Sequence, residues 1–169
     1  MKPIIQDILG VSRTIVEAEH FVELWRTATE QAIYRTEDTN RLERFRDVVA
    51  TYAVADQEAI ESWSPDAWLD QITVEDFPDY VSRLREWLKT VPVFTIYIPV
   101  ALPKTELRAL AQELRQIKGD EWLLETKVDP NVLGGCAFIV DDVYHDYSLH
   151  GRLRRQPEVI AAVFAAYEN

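Results

Sequence analysis

The sequence predicts an α+β fold, in which an N-terminal helical bundle is followed by a small α/β domain with a mixed sheet and a terminal helix. Apolar residues recur at helical spacing through about residue 90. After Thr90-Val91-Pro92 the pattern changes to runs of β-branched and aromatic residues, which favour strands. We therefore predict two domains, residues 1–90 and residues 91–169.

The first half reads as helices only. Ser12 is the predicted N-cap of a helix that continues to about residue 36, and Asp38 or Thr39 is predicted to start the next helix. One face of this second helix alternates basic and acidic residues, a pattern typical of a solvated surface; its arginines are Arg41, Arg44 and Arg46. Four tryptophans are predicted to fill the core of the bundle: Trp25, Trp63, Trp68 and Trp87.

The second half alternates strands with one helix. Residues 93–100 form the first predicted strand, and Pro99 near its end indicates an edge position or a strand terminus. An amphipathic helix over residues 107–117 follows and ends at Gly119 as its C-cap. Trp122 to Val128 is the second predicted strand, and two more strands come from a hairpin further on.

Composition excludes several classes of protein. The formal net charge of -11 repels phosphate backbones, so nucleic acid is not an expected partner. The single cysteine, Cys136, rules out a disulfide within the chain, and its place in an apolar run predicts a small buried residue. No apolar run approaches the ~20 residues that a membrane span needs, so we expect any membrane association to come through partners.

The stretch from residue 128 to residue 153 carries the most local signals. Asp129-Pro130-Asn131 predicts a turn, and we expect positive φ in at least one residue of Gly134-Gly135. Two apolar runs separated by Asp141-Asp142 predict a β-hairpin with an acidic turn. Ser148 is placed to cap a short helix from Leu149 to Arg155.

These residues resemble a known family. The order VDP, LGG, an apolar strand, an acidic turn, a second strand and D-x-S-x-x-x-R-L is similar to the C-terminal domain of the ATP synthase delta subunit, whose mitochondrial member is the oligomycin-sensitivity-conferring protein. The resemblance covers about the last half of the chain. The positions that carry it are Val128, Asp129, Pro130, Leu133, Gly134, Gly135, Asp142, Asp146, Ser148, Arg152 and Leu153.

The resemblance implies a non-catalytic stator subunit that supports proton-driven ATP synthesis. Such a subunit joins the alpha subunits of the catalytic head to the b subunit of the peripheral stalk, at the cytoplasmic face of the cell membrane. A final apolar helix is predicted from Glu158 to Tyr167. We expect part of this helix to contact the stalk, through Val159, Val163, Phe164 and Tyr167.

Two alternatives remain open. One is a delta-like binding module that serves another assembly, and the other is a small metal-dependent hydrolase built on the acidic hairpin. The hydrolase would use the cluster Asp129, Asp141, Asp142, His145 and Asp146. His145 and Asp146 are neighbours on a predicted strand and point to opposite faces, which disfavours a shared metal ion. We therefore expect no catalytic residue, no metal ion and no cofactor.

Overall fold

The computed structural model describes residues 1–35, 40–140 and 143–158. Its helices are α1 (Lys2–Val11), α2 (Ile15–Tyr34), α3 (Arg41–Val49), α4 (Val54–Ile60), α5 (Phe77–Thr90), α6 (Lys104–Lys118) and α7 (Leu149–Arg155). Its strands are β1 (Val93–Ile98), β2 (Leu123–Val128), β3 (Ala137–Val140) and β4 (Val143–Asp146). Helices therefore precede a small sheet, and the predicted α+β class is confirmed.

Helix α2 begins two residues later than the sequence indicates. Thr14, and not Ser12, is its N-cap: the Thr14 hydroxyl accepts from the Glu17 N–H, and the Glu17 carboxylate accepts from the Thr14 N–H. Ser12 instead ends α1, where its hydroxyl donates to the Ile8 carbonyl over 2.7 Å. The predicted cap at Ser12 is therefore wrong.

Helix α3 begins at Arg41, and the Asn40 side chain caps it by accepting from the Glu43 N–H. The predicted start at Asp38 or Thr39 falls on residues outside the described ones. The prediction that this face of α3 is solvated is wrong for Arg44, which is buried and donates from Nε to the Ala32 carbonyl of α2. A buried guanidinium is tolerated there because a carbonyl accepts its hydrogen bond.

The helices enclose one apolar core. Trp25, Trp63 and Trp68 are buried in it, and Trp87 is half-buried against it. Helix α1 lies on this core through Ile4 and Ile8. The tryptophans therefore fill the interior of the bundle, as predicted.

The four strands form a mixed sheet in the order β2-β1-β3-β4. Strands β1 and β2 are parallel and are joined through α6, whereas the β1–β3 and β3–β4 pairs are antiparallel. Strand β1 is therefore an inner strand, so Pro99 marks the end of β1 and not an edge position. The apolar side of α6 packs on one face of the sheet, around Ala111 and Leu124, and the half-buried Cys136 joins this second core.

The N-terminal helices have one apolar core, and the sheet with α6 has a second one. Leu123 of β2 is an exception, because it belongs to the core of the N-terminal helices. Helix α5 ends at Thr90 and β1 starts at Val93, which is where the sequence pattern changes. The division into domains at residues 1–90 and 91–169 stays a prediction.

Candidate functional site at the hairpin and helix α7

The site begins at the turn after β2. The Asp129 carboxylate accepts hydrogen bonds from the backbone N–H and from the side-chain amide of Asn131, each with a donor–acceptor distance of 2.9 Å. The Asp129 N–H donates to the Ile98 carbonyl, and the Val132 N–H donates to the Asp129 carbonyl. Asp129 therefore shapes the turn and ties it to the end of β1, as its residue type predicts.

Two glycines let the chain turn back toward α7. Gly134 has φ of 64° and Gly135 has φ of 87°, which confirms the expectation of positive φ. A Cβ on Gly135 would lie 2.5 Å from the Tyr147 carbonyl oxygen, whereas one on Gly134 would lie 3.4 Å from the Leu149 Cβ. Of these two glycines, Gly135 is thus the one at which another backbone segment approaches more closely.

Backbone hydrogen bonds fasten this glycine turn to the start of α7. The Leu149 N–H donates to the carbonyls of Leu133 and Gly134, over 2.9 and 2.7 Å. The Tyr147 N–H donates to the Cys136 carbonyl over 3.0 Å. The turn, the hairpin and the helix therefore form one connected unit, which we name the turn–hairpin–helix unit (residues 129–140 and 143–155).

Helix α7 is held by a cap that includes Asp146. The Ser148 hydroxyl accepts from the Gly151 N–H over 2.9 Å, which confirms Ser148 as the N-cap. Hydrogen bonds from the side chain and the backbone of Ser148 lower the pKa of the Asp146 carboxyl below its ordinary value. Gly151 is buried against this carboxylate, and a Cβ there would collide with it. Gly151 was not among the predicted site residues, although its place three residues after the Ser148 cap was a usable signal.

Beside these contacts lies an exposed apolar and basic surface. Leu133, Tyr147, Leu149 and Leu153 are between 43% and 57% exposed. Gly134, Gly135, Tyr147, Leu149 and Arg152 line a shallow cavity of about 210 Å³ at its centre. We name the surface formed by Leu133, Tyr147, Leu149, Arg152 and Leu153 the α7 surface.

The hairpin supports this surface through stacked rings. The Phe138 ring stacks on His145 and on Tyr147, with centroids 5.2 and 5.3 Å apart. Phe94 of β1 packs against the same Phe138 ring. In the β3–β4 register His145 lies opposite Phe138, while Asp146 lies opposite Ala137, so the two neighbours serve different faces.

The described residues contain no group of three His, Cys, Asp or Glu side chains that could hold a metal ion. Asp141 and Asp142 lie outside the described residues, so the expected absence of a metal site stays a prediction. The predicted stalk contacts also lie outside them: Val159, Val163, Phe164 and Tyr167.

The motif positions Asp129, Gly134, Gly135, Asp146 and Ser148 make the contacts that shape the unit. Leu133, Arg152 and Leu153 are exposed on it, and the exposed Pro130 lies in its first turn.

A comparison with protein families identifies the group to which this architecture belongs. The model of the family "ATP synthase delta (OSCP) subunit" matches residues 73–159, which is 87 of the 169 residues and includes the whole turn–hairpin–helix unit. The chain belongs to this family. The resemblance seen in the sequence is thereby confirmed. Among curated proteins, no match to the chain was found.

Membership in the delta (OSCP) family gives this protein a general role as a non-catalytic ATP synthase subunit that associates with other subunits of that membrane-bound complex. Among the described residues, no helix is both long enough and apolar enough to cross a membrane. Helices α1 to α4 precede residue 73 and lie outside the matched region.

Proposed function

We propose that this protein is the stator adaptor of an F-type ATP synthase. It links the alpha subunits of the catalytic head to the b subunit of the peripheral stalk, and so supports proton-driven ATP synthesis without catalysing a reaction. It is peripheral at the cytoplasmic face of the cell membrane and is held there by its partners. The observation that carries this proposal is the family match over residues 73–159.

The α7 surface is the proposed contact for the stalk. An amphipathic helix binds well where exposed apolar side chains line a shallow groove, and Leu149 and Leu153 are four residues apart on one face of α7. The last turn of α7 carries three arginines in an otherwise acidic protein: Arg152, Arg154 and Arg155. The surface therefore fits a stalk helix whose apolar stripe is flanked by acidic residues.

The C-terminal segment is the second proposed part of the stalk contact. Residues 159–167 read Val-Ile-Ala-Ala-Val-Phe-Ala-Ala-Tyr, and they follow the described part of the chain directly. We expect the small alanines between the larger apolar residues to permit the close approach of a partner helix. We propose that Val159, Val163, Phe164 and Tyr167 add to the surface that α7 begins.

The helical half is the proposed contact for the alpha subunits. A groove of about 570 Å³ lies between α2 and α5, with Val22 and Leu88 among its apolar residues. Arg85 and Glu23 form an ion pair of 2.9 Å across this groove. An amphipathic segment fits a groove with apolar walls and charged rims.

Co-purification tests the proposal. The tagged chain is expressed in its native cells, the membranes are solubilised, and the recovered proteins are identified by mass spectrometry. We expect the alpha and b subunits of the ATP synthase in stoichiometric amounts. Their absence from a folded, tagged protein would contradict the stator role.

A delta-like module of another assembly is the second candidate. The observation that favours it is that residues 1–72, which include helices α1 to α4, lie outside the family match. Such a module would recover a different, reproducible set of subunits in the same experiment, without alpha and b.

A further inference from the structure

The loop between α1 and α2 lies against the outer edge of the sheet. The Leu124 N–H of β2 donates to the Arg13 carbonyl over 3.1 Å, and Thr14 forms an isolated parallel bridge with Leu124. Strand β2 is an edge strand whose inner side pairs with β1, and on that side the Leu123 N–H donates to the carbonyl of Pro92, the residue before β1. The helical half therefore closes the start of an otherwise open strand edge.

The Arg115 side chain joins three segments at the same place. From α6, its Nη1 donates to the Leu9 carbonyl in the last turns of α1, and its Nε donates to the Trp122 carbonyl just before β2; both distances are 3.1 Å. The planar guanidinium holds its N–H donors in a fixed geometry, which suits binding to two carbonyls at once. Burial, and then the nearby charge of Arg13, lower the pKa of the Arg115 guanidinium below its ordinary value.

Strand β2 also contributes a side chain to each apolar core. Leu123 and Leu124 are both fully buried, but in different cores. Leu123 packs with the N-terminal helices, whereas Leu124 packs against α6. Successive residues of a strand point to opposite faces, so this one strand lies between the two cores.

We propose that this junction, formed by Arg13, Thr14, Arg115, Leu123 and Leu124, makes the helical half and the sheet half one cooperative folding unit. Neither half opens by itself, because separation breaks the backbone bridge, removes the carbonyl partners of a half-buried cation and exposes Leu123 to water. This inference does not rest on the proposed function and holds for a binding module of any assembly.

Hydrogen exchange measured by mass spectrometry at increasing urea tests the proposal on the full chain. Peptides from α2 report on the helical half, and peptides from β1 report on the sheet half. In the wild type we expect both to share one opening free energy and one urea dependence. Separate values for the two peptides would overturn the proposal.

The variant Arg115→Met keeps a long apolar stem and removes both hydrogen bonds. We expect the β1 amides to exchange at least about tenfold faster than the α2 amides in this variant, because hydrogen bonds to charged groups are among the stronger ones. Arg115→Lys, which keeps the charge, provides the test if Arg115→Met does not fold, and it should show the same change at a smaller magnitude.

The matched control is Arg108→Met. Arg108 lies on the same helix but is exposed, and its ion pair with Glu17 has a length of 3.5 Å. We expect this control to exchange like the wild type. Wild-type exchange in folded Arg115→Met would remove Arg115 from the junction and overturn its assigned role.

Discussion

The variant Gly135→Ala tests the glycine turn of the turn–hairpin–helix unit. At φ of 87° a side chain is strained, which costs about 1–2 kcal/mol. The new Cβ would also lie 2.5 Å from the Tyr147 carbonyl oxygen, so that peptide must move away. Its movement weakens the hydrogen bond from the Tyr147 N–H to the Cys136 carbonyl, worth about 0.5–1.5 kcal/mol. We expect a total loss of roughly 2–3 kcal/mol in the free energy of unfolding, measured by urea denaturation.

Two further glycines serve as controls for backbone strain. Gly119 has φ of 111° with open space around it, and Gly134 has φ of 64° with an ordinary contact to Leu149. Gly134→Ala should cost about 1 kcal/mol from strain alone. Gly119→Ala should cost about 1–3 kcal/mol, because its φ of 111° and ψ of 163° lie in a region that is essentially restricted to glycine. The effect of alanine on the unfolded chain is similar at all three positions and cancels in the comparison. Equal losses in Gly135→Ala and Gly134→Ala would refute the close approach to Tyr147.

Three other predictions concern acidic residues and the C-terminal segment. Because the pKa of Asp146 is lowered in the folded protein, its ionised form stabilises the fold above the ordinary pKa of 3.8, and this stabilisation is lost as the pH falls through the folded pKa. In Asp146→Asn the free energy of unfolding should therefore depend less steeply on pH below about 4, which denaturation at several pH values measures. We expect no stoichiometric zinc or manganese after extensive dialysis at neutral pH, and its retention, measured by elemental analysis, would revive the hydrolase alternative. Phe164→Asp should weaken the capture of a peptide that represents the C-terminal end of the stalk's b protein, while Asp142→Ala leaves it nearly unchanged; unaltered affinity in a folded Phe164→Asp variant would remove this segment from the interface.

Short-range signals in the sequence predict the local structure of the candidate site. The cap at Ser148 and the positive φ at Gly134 and Gly135 depend on residues fewer than about four positions away, where residue type decides geometry. The prediction of Ser12 as the N-cap was wrong because two hydroxyl residues, Ser12 and Thr14, stand close together. Only the Glu17 side chain, three residues after Thr14, distinguishes them.

Long-range contacts account for what the sequence did not reveal. Arg44 reads as solvated on its own helix, yet it is buried because the Ala32 carbonyl of α2 faces it. Arg115 reads as one basic residue of an amphipathic helix, yet its partner Leu9 lies 106 residues away in the sequence. Helical and strand periodicity report which side of an element is apolar, but they carry no information on which carbonyl a distant arginine will meet.

A peptide titration tests directly whether the α7 surface binds the stalk. The C-terminal segment of the b subunit from the same organism is titrated into the wild type, Arg152→Glu and the control Arg83→Glu, which makes the same charge change on an exposed residue of α5. We expect saturable binding to the wild type and to Arg83→Glu, and about tenfold weaker binding to Arg152→Glu, because the α7 surface loses its attraction for an acidic partner. No binding to the wild type, or equal binding to all three folded proteins, would contradict the assignment of the α7 surface to the stalk.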